Sequence, residues 1–184
     1  IASAFVVRLF SPGSSAGGSP DPVPVPEWLD YEMWLGPAPK KPYTQNRCSN
    51  SLWWFISDYA LGFIAGWGIH PIDIALWGGE GKFTGPWTFE GTGDFPKDGV
   101  ADTALNWRVT IGLGSGIPVN FTGHPFPEEW AKRYGRTTSH GTAFEGTEGW
   151  VHVDRSGVNA SSASLLETEF SDDDMRLYES NNHV

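Results

Sequence analysis

DTALNWRVTIGLGSGIPVNFTGH, residues 102–124, reads as two strand-like runs around a glycine-rich turn. The turn, GLGSG at 112–116, is followed by no helix. That makes it a hairpin connection and not a dinucleotide cradle, which needs a strand, GxGxxG and then a helix. Runs of the same kind flank it: GPWTFEGTG (85–93), TAFEGTEGWVHVDRSG (142–157) and SLLETEF (164–170). Gly, Pro and Asp turns separate them. Strands following one another without long helices between them predict a largely antiparallel sheet.

Working outward, IASAFVVRLF (1–10) is β-branched and aromatic enough for another strand. SPGSSAGGSPDPVPVP (11–26) can form neither helix nor ladder and reads as a long exposed connection. EWLDYEMWLG (27–36), with early acids and Gly36 as a stop, predicts a short helix, and PAPKKPYTQNR (37–47) is extended again. SLWWFISDYALG (51–62) is apolar without a clean period, so helix and buried strand both stay open. The best-signalled helix runs from His70 to Trp77, with Pro71 at its first position and Gly78-Gly79 at its end. Helices come early and strands late, so the fold class is α+β.

A chain of 184 residues supports one domain with a real core. Twenty-two acidic against 12 basic residues give a net charge of −10, which argues against nucleic acid as a partner. No long apolar run suggests a membrane span. Cys48 is alone, so it forms no intramolecular disulfide. The five histidines (70, 124, 140, 152 and 183) lie far apart without HExxH or CxxC spacing, so no metal is expected. Ten tryptophans and eleven phenylalanines exceed what core filling needs, and flat rings also stack on sugar faces. No leader segment is visible at Ile1.

With Pro71 as the first helical residue, His70 is the N-cap. The positive end of the helix dipole disfavours an imidazolium there, leaving a neutral ring able to take a hydroxyl proton. Gly66 and Gly68 leave room for a ligand to approach, and Trp67 between them can stack on it. Asp73, at the third helical position, is either a dipole partner or a site residue. Asp58 and Tyr59 are candidate hydrogen-bonding partners for a polyol, and Arg47 joins them as a candidate substrate-binding residue.

PEWLDYEMWLGPAPKKPY (26–43), ISDYALGFIAGWGIHPIDIALWG (56–78), FEGTEGWVHVDRSG (144–157) and the terminal LYESNNHV (177–184) together resemble the C-terminal domain of the Gfo/Idh/MocA oxidoreductases. The resemblance implies an open-faced, mostly antiparallel β-sheet with helices packed on one face. It divides the chain into 1–21, a first strand and connection, and 22–184, a substrate-binding and oligomerisation domain cut short at its C-terminal end. It implies an N-terminal Rossmann domain outside this chain that binds NAD or NADP, without which the isolated chain is inactive. It further implies a sugar-like substrate, hydride transfer, and a homo-oligomer formed through the open sheet. His70 matches the histidine of the family's Asp-x-x-x-His pair, but Gly66 stands where the family has its aspartate. That departure keeps open NAD-dependent glycoside cleavage by transient oxidation and elimination, and a non-catalytic sugar-binding or oligomerisation module. Bacterial cytoplasm and periplasm are equally compatible with the sequence.

Overall fold

The computed structural model describes residues 6–48, 51–79, 81–135, 140–167, 169, 171, 172 and 174. The hairpin expected over 102–124 is present. Strand β3 (Asn106–Gly112) and strand β4 (Pro118–Gly123) pair antiparallel, with Gly112 opposite Pro118. Strand β2 (Thr88–Asp94) pairs antiparallel along the outer side of β3. Strands β5 (Gly141–Gly146), β6 (Gly149–Asp154) and β7 (Gly157–Ala160) form an antiparallel meander.

The first strand, β1 (Val6–Ser11), joins these two halves, parallel to β4 and antiparallel to β5. Among the described residues the result is one seven-stranded sheet in the order β2-β3-β4-β1-β5-β6-β7, in which the β1–β4 pair is parallel and the other strand pairs antiparallel. The α+β class with an open, mostly antiparallel sheet is thus observed. Because β1 lies at the centre of the sheet, residues 6–11 belong to the same folded unit as the strands after them.

Alternation along the strands sorts side chains between two faces. One face carries Val7, Leu9, Trp107, Val119, Phe121 and Phe144, which form the main core. Helix α2 (Phe63–Gly66) and helix α3 (Ile69–Gly78) cover it, with Phe63, Ile64, Ile72 and Ile74 packed on the core and Ala75 fully buried. The opposite face carries Phe10 and Ala143, capped by Trp130 and Tyr134 of helix α4 (Glu128–Tyr134). So α2 and α3 share one face and α4 lies on the other.

Helix α1 (Tyr31–Leu35) forms as expected: the Asp30 carboxylate accepts from the Met33 N–H, and Gly36 stops it at φ 53°. The ambiguous 51–62 stretch resolves into a short 3-10 turn at Leu52–Phe55 followed by loop. Of the SLLETEF stretch, the described residues 164–167 and 169 do not continue the sheet. Ala163–Leu165 form a 3-10 turn, because β7 ends at Ala160 with Ser161 bonded back to Trp150. The strand expected over 1–10 is seen from Val6 onward; residues 1–5 and the LYESNNHV segment lie outside the described residues.

Candidate functional site

Three hydrogen bonds from distant segments anchor the start of α2 and the first turn of α3. Ser14 Oγ accepts from the Phe63 N–H at 3.0 Å, Ser11 Oγ donates to the Phe63 carbonyl at 3.2 Å, and Thr142 Oγ1 donates to the Pro71 carbonyl at 2.8 Å. Between α2 and α3 the chain turns through Trp67 and Gly68. A Cβ on Gly68 would lie 2.0 Å from the Ile64 carbonyl oxygen and 2.6 Å from Phe121, so glycine is required there by close packing on the sheet. Gly66 is different. A Cβ there meets only Trp54, at 3.5 and 3.6 Å, which is ordinary contact.

The helix starts earlier than the sequence suggests. Gly68, at φ −60° and ψ −27°, is the cap, His70 is the second residue of α3 and Pro71 the third. The His70 N–H donates to the Trp67 carbonyl at 3.1 Å, and that of Ile72 to Gly68 at 3.1 Å. The earlier start follows from the Trp67–Gly68 turn, which is already helical in its dihedrals. Pro71 still costs nothing, since first-turn N–H groups have no intrahelical acceptor. Asp73 becomes the fifth residue of α3, outside the first turn, so it does not serve as a capping carboxylate.

His70 and Asp73 are exposed and line a cavity of about 220 Å³ with His140, Thr142, Asp154 and Arg155. Trp67 forms part of the same cluster. Its ring lies 5.5 Å from His70 and 5.0 Å from His140, and the Arg155 guanidinium stacks on it at 5.0 Å. Burial pushes the His140 imidazole below its usual range, the Arg155 and His70 charges push the same way, and Asp154 opposes them. Both His140 ring nitrogens are buried with no hydrogen-bond partner among the described residues.

His140 is the residue that sequence reading missed. It stands seventy positions after His70, and nothing in its neighbourhood marks it apart from the other histidines. His152, equally unmarked, has a structural place: fully buried, stacked on Phe10 and Tyr134, with Nδ1 3.0 Å from Asn159 Oδ1.

Arg47, Asp58 and Tyr59 do not join His70. They gather at a second cleft of about 550 Å³, lined by Trp34, Trp53, Asp58 and Tyr59 with Pro37 and Pro39. Asp58 is ion-paired with Lys41 and lies 4.0 Å from Arg47 Nη1, which also donates to the Tyr59 hydroxyl at 3.2 Å. Asp73 shares the His70 cavity and Asp58 does not. Burial raises the Cys48 thiol above its ordinary value, with Arg47 opposing, so this cysteine is not an activated nucleophile.

Among the described residues no group of three or more His, Cys, Asp or Glu is placed to hold a metal ion. None of their helices is long and apolar enough to cross a membrane.

The family model for the oxidoreductase family C-terminal alpha/beta domain, of the Gfo/Idh/MocA group, matches residues 16–107, half of the 184-residue chain. The chain belongs to this family. No curated protein matches it.

Proposed function

We propose that this Gfo/Idh/MocA C-terminal domain is the substrate-binding half of an NAD(P)-dependent oxidoreductase acting on a sugar, sugar derivative or cyclitol. The observation that carries the reading is the α3 cavity, where His70, His140 and Asp73 meet beside the Trp67 ring in a domain of an oxidoreductase family. Oxidation of a secondary alcohol removes a hydride from carbon and a proton from its hydroxyl. His70 is exposed at the cavity and takes that proton, while Trp67 offers an aromatic wall to the ring carrying it.

The described residues do not fit a dinucleotide. GLGSG turns β3 into β4, no helix opens behind it, and the first turn of α3 holds no glycine-rich cradle. In this reading NAD or NADP is held by the nucleotide-binding domain that the family resemblance implies, and the described residues contribute the pocket for the substrate. The polar outer face of β2 to β4, with Glu90, Arg108 and Thr110 exposed, is the surface for the homo-oligomer.

Gly66 supports the second reading, NAD-dependent glycoside cleavage. The family's carboxylate is missing although space for a side chain exists. In protein carrying its nucleotide-binding domain, His70→Ala is expected to lower turnover by about 10² to 10⁴. Rates near wild type sink the role given to His70. Net NADH from free sugars favours the oxidoreductase reading, and aryl-glycoside release without net NADH favours cleavage.

A further inference from the structure

The cleft at Trp34 shares no lining residue with the His70 cavity and is the larger of the two, about 550 Å³ against about 220 Å³. Its walls are held stiffly. Trp34 and Tyr59 pack edge to face at 4.8 Å and 78°, and Trp53 packs against Trp54 at 5.6 Å and 78°. Pro37 and Pro39 fix the chain on the remaining side. None of these rings reaches full burial.

The polar side of the cleft is equally specific. Asp58 keeps 15% of its side chain exposed, ion-paired with Lys41 and 4.0 Å from Arg47 Nη1. An ionised carboxylate only accepts hydrogen bonds, and it has capacity for more than its cationic neighbours use. Its natural complement is a pair of hydroxyl donors beside a C–H face that can lie on an aromatic ring. Saccharide rings have both. An aliphatic ligand would leave the Asp58 carboxylate desolvated.

Aromatic rings run from this cleft to the His70 pocket. Trp53 contacts Trp54, Trp54 contacts Phe63, Phe63 contacts Trp67, and Trp67 contacts His70, at centroid distances of 5.6, 5.4, 6.2 and 5.5 Å. We propose that the Trp34–Trp53–Tyr59 cleft is a second saccharide subsite, which holds a remote unit of an oligosaccharide or glycoside whose reacting unit occupies the His70 pocket. The shared-substrate part rests on the function proposed above. The subsite itself rests on the cleft alone. Binding a remote unit there supplies energy for placing the reacting unit against His70.

The test follows the tryptophan indole N–H signals of the protein by NMR during titration with maltotetraose, cellotetraose, xylotetraose and chitotetraose, each to about 10 mM. At least one sugar is expected to move Trp34, Trp53 and Trp67 along a single saturation curve. Trp34→Ala and, separately, Asp58→Asn should each weaken that binding by about tenfold or more. Two variants guard against a local folding defect in either one, and retained spectral dispersion reports the fold. Silence of Trp34 and Trp53 towards all the sugars overturns the proposal, as does binding that neither variant weakens. Movement of Trp67 with Trp34 and Trp53 silent removes the subsite and leaves the His70 reading standing. Movement of Trp34 and Trp53 with Trp67 silent keeps the subsite and removes the shared substrate.

Discussion

Two polar clusters flank β5, and they are finished to different degrees. Under α4, Glu145 accepts from Arg8 Nε at 3.0 Å, Arg133 Nη1 at 2.9 Å and the Tyr134 hydroxyl at 2.7 Å, and Arg8 Nη2 lies 2.9 Å away. Burial by itself would raise the Glu145 carboxyl. The hydrogen bonds from Arg8 and Tyr134 and the charges of Arg8 and Arg133 outweigh it and hold the group below its ordinary range. At the mouth of α3, by contrast, both His140 ring nitrogens lack a partner among the described residues, and Arg155 rests on an indole face. A satisfied network locks strands and helix together. An unsatisfied one marks where the molecule has given up stability, which is expected of a site and not of a core.

The sharpest way to break this contrast is Glu145→Gln. It removes the charge that two arginines face, and should cost about 2–3 kcal/mol, less than a fully buried pair because Arg133 is half exposed. Urea denaturation measures it. The folded carboxyl sits below its ordinary 4.5, so its contribution is complete above that pH and lost as pH falls through the folded value. Wild type should therefore lose stability on acidification more steeply than the variant. Equal slopes would mean that Glu145 is not a stabilising hub.

At the other cluster, replacement should be nearly free. His140→Phe is expected to change stability by less than about 1 kcal/mol, or to raise it, since it removes an unpartnered buried group. The His140 ring is lowered from its ordinary 6.5, so wild type loses stability as pH falls below that value towards the folded one. In the variant this part of the pH dependence disappears. A loss of several kcal/mol would show that His140 is a structural residue like His152.

The smallest effect belongs to Gly66→Ala. A Cβ there has room beside Trp54 and the residue closes α2, so the change should stabilise by about 0.5 kcal/mol. A clear destabilisation in thermal melts would mean that glycine is held at this position by packing, and that the missing family carboxylate has a steric cause.

Not every readable signal was read. PEEWAKRYG, residues 127–135, carries acids at the start, bases at the end and a glycine at φ 61° just beyond, yet the surrounding strand pattern hid α4. That helix was legible in principle. The gathering of Arg8, Glu145, Arg133 and Tyr134 was not, because no local rule links residue 8 to residue 145. The site divides the same way. His70 and Trp67 announce themselves beside each other, whereas His140 reaches them only because Thr142 ties β5 to the Pro71 carbonyl.

Local chemistry thus determined much of this protein. The period-two runs, the GLGSG hairpin, the α3 segment with its proline and glycines, and the family resemblance are all written in short stretches, where backbone preference and side-chain pattern act over a few residues. Tertiary structure alone decided that β1 enters between β4 and β5, that α4 takes the opposite face, and that Asp58 and Asp73 serve different cavities. Those choices depend on which distant apolar faces bury one another, and no window along the chain contains both partners.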